Sequence, residues 1–186
     1  MTSVYHGRFE AWLKAGRTGV LATACLAVWV TAPSALSAEL DQPLFVIERS
    51  INANVVHYDA RLTPDGRLDP NQPIVAYWVM AAEDGRREDL TVFEKLKAYG
   101  LTIQPDLAAD SYRVRLAAEK SREIHVYRQG NTVRAETTIA GRRAYLEKIY
   151  VSTHRAVIFN FPSSVELFGT DIATGEPRRE ILSAAH

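Results

Sequence analysis

The chain has 186 residues, 47% of them hydrophobic and 24% charged, with a formal net charge of zero. That balance excludes a disordered or fibrous polymer, and it lacks the basic excess that broad nucleic-acid binding requires. The length suits one domain with a short appendage.

The appendage comes first. Arg8, Lys14 and Arg17 precede the apolar run 19–32, which gives way to the small residues of "PSALSAEL". A basic region, a hydrophobic core and a small-residue exit are the three parts of a secretory signal. A permanent anchor needs roughly 20 apolar residues, and this core is shorter. The sequence therefore predicts a signal peptide over 1–37, cleaved after Ser37 or alternatively Ala38, a short tail over 38–43 and a single β-rich domain over 44–182. The expected location is periplasmic or secreted, with membrane contact only through the signal segment if it is left uncleaved. Cys25 is the sole cysteine and leaves with that segment, so no disulfide supports the mature fold. Apolar residues continue past Cys25, unlike a lipid-acceptor cysteine, which ends the hydrophobic core.

From Leu44 onward, period two dominates. "LFVIERSINANVVHYDA" reads as two strands around a turn at "INAN". Pairing Ile47 with Tyr58 and Arg49 with Val56 collects Phe45, Ile47, Val56, Tyr58 and Ala60 on one apolar face, and sets Glu48 beside His57 on the other. A one-residue slip would exchange the faces. "TPDGRLDPNQP", 63–73, is a loop rich in turn formers and long enough to serve as a rim. "IVAYWVMAA" is apolar on both faces and needs cover on both sides. "REDLTVFEKLKAYGL" changes period: Leu90, Phe93, Leu96 and Tyr99 fall at helical spacing, Thr91 and Glu94 form a capping box, and Gly100 is a stop. This predicts one short helix packed on the sheet as a plug or lid.

"SYRVRLAA" alternates Tyr112, Val114 and Leu116 with arginines. Gly130-Asn131 then marks a hairpin whose inner face carries Ile124, Val126, Val133, Ala135 and Ile139, leaving His125, Arg134 and Glu136 in water. "RRAYLEKIYVSTH" is a long strand, "AVIFNF" a short one ending at Pro162, and "SVELFGTDIATGEPRREIL" two more around a turn at 173–176. The fold class is mainly β: an antiparallel β-barrel, lipocalin-like or alternatively a sandwich, of about eight to ten strands with one short α-helix.

One charge does not fit that pattern. Arg49 lies in phase with the apolar face, and an unpaired buried charge is costly. Glu147 alternates in phase with Tyr145, Ile149 and Val151, so it is the predicted partner. Read structurally, Arg49 and Glu147 form a buried salt bridge that fixes register. Read functionally, they form a polar spot in an apolar cavity, where Arg49 grips an acidic group, Tyr58, Tyr77 and Trp78 supply aromatic walls, and Asn52 and Asn54 a hydrogen-bonding rim. Turn chemistry alone also accounts for the two asparagines.

Catalytic signatures are absent. His6, His57, His125, His154 and His186 show no metal-ligand spacing. His57 and Asp59 share a strand face, and Ser50 and Ser152 are available hydroxyls, but no nucleophile elbow or glycine-rich phosphate loop accompanies them. No metal, cofactor or catalytic residue is assigned.

The segments "RSINANVVHYDA", "PIVAYWVM" and "VELFGTDIATG" resemble a family of exported bacterial proteins characterised only as a domain of unknown function, over most of the mature chain from Leu44 to Leu182. The resemblance implies one intact domain behind a signal peptide and carries over no activity or functional residue. The leading expectation is an exported β-barrel that binds a small, partly apolar or acidic molecule. The alternatives are a cell-envelope interaction or structural module with a side-chain-filled core, and a hydrolase with a rim site.

Overall fold

The computed structural model describes residues 41–156 and 159–183. The signal segment, its cleavage point and Cys25 lie outside the described residues. Eleven strands run in chain order: β1 (Gln42–Arg49), β2 (Asn52–Ala60), β3 (Ile74–Val79), β4 (Arg87–Asp89), β5 (Leu101–Pro105), β6 (Ser111–Leu116), β7 (Glu119–Gln129), β8 (Thr132–Ile139), β9 (Arg142–Ala156), β10 (Phe159–Asp171) and β11 (Pro177–Ser183). Between β4 and β5 lie a single helical turn, α1 (Val92–Glu94), and a wide π turn, Lys95–Tyr99.

The strands join in the order β4-β3-β2-β1-β9-β8-β7-β6-β5, and the sheet curls into a half-barrel. β9 is its hub. The start of β9 pairs with β8, Lys148–Val151 pair in parallel with β1, and β10 lines the opposite edge and carries β11. The remaining pairings are antiparallel, so the mainly β, mostly antiparallel expectation holds. The alternation along each strand places Phe45, Ile47, Val56, Tyr58, Val114, Ile124, Val126, Val133, Ala135 and Ile139 in one core. Burying each such side chain stabilises the fold by about 1.5–3 kcal/mol for the larger ones.

Five local readings change. In the first hairpin, Ile47 faces Val56 and Phe45 faces Tyr58, with Arg49 opposite Asn52. This is a two-residue shift from the expected register, so the faces survive but the cross-strand pairs do not. Glu48 accordingly bonds Lys148 at 3.2 Å rather than His57.

Glu147 does not point inward. Lys148 pairs with Phe168 and Leu146 with Gly169, which leaves Glu147 as the extra residue of a β-bulge. The bulge resets the phase: Ala144 and Leu146 are buried before it, Ile149 after it, and Glu147 is exposed, accepting a 2.6 Å hydrogen bond from Thr170. Gly169 sits opposite because a Cβ there would come within 2.0 Å of the Tyr145 carbonyl oxygen.

Glu136 is buried rather than in water, covered by Arg143 and bonded by the Tyr127 hydroxyl at 3.1 Å. Pro162 does not end a strand. β10 runs through it, with a register shift between Pro162 and Ser164 that accommodates the missing N–H.

The helix is also rearranged. Both halves of the Thr91–Glu94 capping box form, but the chain then widens into the π turn, which rotates the expected stripe. Leu90 is buried and Tyr99 packs on the core, whereas Phe93 and Leu96 face solvent. Gly100 is extended rather than left-handed, and it is required because a Cβ would meet the Lys95 carbonyl oxygen at 1.9 Å.

Candidate ligand cleft

Arg49 does point toward the inner face, and its partner is not Glu147. Its guanidinium lies 4.3 Å from the centre of the Trp78 ring, donates to the Tyr99 hydroxyl at 3.3 Å and to Asn52 Oδ1 at 3.2 Å. Stacking on an aromatic face suits a planar, weakly hydrated cation. Trp78 is itself fixed by an edge contact with Tyr99 and by donating its Nε1–H to Glu94 at 3.1 Å. Burial raises the Glu94 carboxyl pKa, but bonds from Thr91 and Trp78 and the nearby Arg49 charge outweigh it and hold the group below its ordinary value. Arg49 Nε is buried without a hydrogen-bond partner.

Arg49, Asn54 and Trp78 line a small cleft of about 200 Å³. The same cleft holds Glu88, Asp89 and Glu94, a field that repels an anion. The asparagines are structural. Asn52 Oδ1 accepts from the Asn54 N–H at 3.2 Å, and buried Asn54 accepts from the Ala82 N–H at 2.9 Å, tying β2 to the β3–β4 turn. Tyr58 is fully buried beside this box of Arg49, Trp78, Tyr99 and Asn52, stacked on Phe45, and donates to the Tyr99 carbonyl at 2.8 Å. Burial and the neighbouring Tyr99 push its phenol pKa well up. Tyr77 lies on the opposite face of β3. It bonds Asp59 at 2.5 Å and stacks against His57, and burial, reinforced by the Asp59 bond, lifts its pKa to about 12. Of the seven residues the sequence singles out, four therefore share one place, and Tyr58, Tyr77 and Glu147 serve elsewhere.

The gap between the inner faces near Leu116, Ile124, Leu146 and Leu167 amounts to about 50 Å³, too small for a lipocalin-type ligand.

A concavity of about 640 Å³ lies instead at the seam where the curled sheet fails to close. One wall is β3, whose Ile74–Ala76 extend beyond the part covered by β4. The facing wall is β5, with Leu101, Ile103 and Pro105, and Tyr112 beside it. The floor of one end is the loop 70–73. That loop is fixed by bonds from the Arg61 N–H to the Pro73 carbonyl and from the Asp69 N–H to the Arg61 carbonyl, both 2.9 Å, and by the buried anchor Leu68. Its tip reaches the β5–β6 turn through Arg67 and Asp110, 3.5 Å apart.

Arg61, Arg87 and Lys95 line the seam together with the carboxylate of Asp89, and Arg61 is ion-paired with Asp41 at 3.7 Å. Arg87 is held over the Tyr77 ring at 3.6 Å, and Arg61 donates to Gln72 at 2.8 Å. Lys95 has no ion pair among the described residues. Such a cleft has a mixed surface, with apolar side chains along its strand walls and polar and cationic groups around them. Sequence reasoning flagged the loop but not these cations, which come from three separate elements and meet only through the curl.

A serine, a histidine and an aspartate also converge. The Ser111 hydroxyl lies 2.6 Å and Asp106 3.1 Å from His125, but both contact Nε2. A hydrolytic triad needs the carboxylate on the other ring nitrogen. Ser111 is also buried, so this trio is a hydrogen-bonded staple at the β5–β6 hairpin. His57 and Asp59 are both engaged with Tyr77. No group of metal-ligating side chains occurs among the described residues, and no helix among them is long and apolar enough to cross a membrane.

The model of one protein family, described as a domain of unknown function (DUF4833), matches residues 45–180. No curated protein and no solved structure matches the chain.

Proposed function

The chain belongs to the DUF4833 family, and from that premise we propose that it is an exported binding module that holds an acidic, partly apolar ligand in the seam cleft. The single observation that carries the reading is the cleft itself: about 640 Å³, strand walls bearing apolar side chains, and the exposed cations Arg87 and Lys95 against Asp89, with Arg61 beside them paired to Asp41. A cationic rim on apolar walls favours an anion with a hydrophobic body. The Arg49 box contributes rigidity rather than recognition, because its cation is already shared between Trp78, Tyr99 and Asn52 and is surrounded by carboxylates. Export rests on the N-terminal basic, apolar and small-residue pattern.

Native mass spectrometry of the protein isolated from the producing cell's envelope fraction tests this directly. A bound anionic species should be retained by the native protein and lost from the Arg87→Gln, Lys95→Gln double variant. Both side chains are exposed, so the fold should be unaffected. Absence of any retained species, or equal retention by the double variant, overturns the reading. A reporter fused at residue 45 should be found outside the cytoplasm, and cytoplasmic retention overturns export.

A further inference from the structure

We propose that the occupant of the seam is an extended acidic peptide segment of a partner protein, which adds as a strand to the open edge of β3. This rests on the reading of the cleft as an anion site and specifies the class of ligand. Three structural features support it.

The first is unmet backbone pairing. β4 covers only Tyr77–Val79, so among the described residues Ile74–Ala76 have no neighbouring strand on that side, and β5 pairs with β6 alone. Both open edges line the same cleft. An unpaired edge is a template for another strand, and strand addition is a recurrent mode of peptide recognition. The polarity is consistent as well. Between β3 and β5 the sheet makes six antiparallel steps and one parallel step, so the two edges run in the same direction. A single inserted segment can therefore lie antiparallel to both, the more stable pairing per residue.

The second is charge. The exposed Arg87 and Lys95 beside an open edge deter basic strands, as edge lysines commonly do, and leave the edge accessible to a segment with carboxylates at alternate positions.

The third is the surface next to Lys95. Val92, Phe93 and Leu96 are 75%, 72% and 69% exposed. A free metabolite in the cleft would leave these side chains in water, whereas a partner polypeptide continuing past the seam covers them.

Fluorescence anisotropy with the full chain tests the proposal. The probe is a synthetic pool of blocked, labelled seven-residue peptides with glutamate or aspartate at alternate positions and apolar residues between. A member should bind saturably, and its counterpart N-methylated at alternate residues, like its lysine-for-acid counterpart, should bind at least tenfold more weakly. The Arg87→Gln, Lys95→Gln variant should also bind it at least tenfold more weakly. Equal binding of the N-methylated peptide overturns strand addition. Saturable binding of glutarate with no peptide binding overturns the peptide while leaving the anion cleft standing, and failure of both overturns the two readings together. Binding to phosphatidylglycerol vesicles without peptide binding assigns the exposed apolar turn to a lipid surface, and overturns the proposal.

Discussion

Asp171 and Arg49 are both charged groups set into the body of the domain, and the protein treats them in opposite ways. Asp171, at the β10–β11 turn, has every lone pair matched. Oδ1 accepts from the Ala173 and Thr174 N–H groups at 2.9 and 3.1 Å, and Oδ2 meets Arg142 at 2.8 Å and Arg178 at 3.0 Å. Arg49 leans on an aromatic face, makes two bonds longer than 3.1 Å, and leaves Nε without a partner. The first region is over-determined, with three long strands, a bulge and a closed polar network. The second borders the seam, where strands are short and edges are open. The difference sets a region where, among the described residues, strand edges and the Lys95 ammonium are left uncommitted against one where the polar groups are matched.

The largest effect should come from the core on the closed side. Leu167→Ala removes a fully buried side chain of β10 and should destabilise by about 2–5 kcal/mol, as large-to-small core substitutions do. Ile103→Ala, on the half-buried wall of the seam, should lose less than about 2 kcal/mol because the removed atoms already border solvent. Urea unfolding of both variants measures the contrast, and equal losses would erase the distinction between the regions.

Asp171 gives the next test, through pH. Burial acts to raise its carboxyl pKa, but the turn amides and the two arginines prevail and lower it. A carboxylate whose folded pKa lies below its unfolded value, about 3.9, contributes stability that is fully present above that value. The contribution fades as pH falls through the lower folded pKa. Asp171→Asn should therefore be clearly less stable than the native protein at pH 7, with a gap that narrows below about pH 4. Thermal melts across pH 2–7 show it, and a pH-independent gap would mean that shape, not charge, holds the turn.

The same contrast explains what the sequence made legible. Strand alternation gave the inward positions from Tyr112 to Ile139 even across the register shift between Val114 and Leu116, although it left the buried Glu136 in water. It failed at Glu147 because a bulge costs one residue of phase and leaves no compositional trace beyond Gly169, twenty-two positions away in the chain. It failed at Phe93 and Leu96 because a π turn and an α-helix share the same caps, so Thr91 and Glu94 announce both. The inward Arg49 was readable from phase, but its partner was not, since Trp78 stacks with a cation as readily as with an apolar neighbour. The seam was the least legible feature. An edge is defined by which strand is missing, and no residue pattern encodes that.

The smallest effect should be the most informative about Arg49. Replacing a charge whose pairing is incomplete with an apolar side chain of similar length removes the burial cost of the unmatched Nε along with the two hydrogen bonds. Exchanging imperfect polar contacts for apolar packing is often close to neutral. Arg49→Met should thus change stability by less than about 1 kcal/mol at pH 7 while the methionine continues to cover Trp78. The substitution also leaves Glu88, Asp89 and Glu94 without the cation that balances them. Its effect on the seam should therefore be electrostatic: binding of the acidic peptide pool should weaken by a small factor that shrinks with added salt, since Asp89 lines both clefts. Calorimetric titration at two salt concentrations separates these outcomes. A loss of binding as large as that of the Arg87 and Lys95 variant, unchanged by salt, would return Arg49 from a packing element to the recognition site itself.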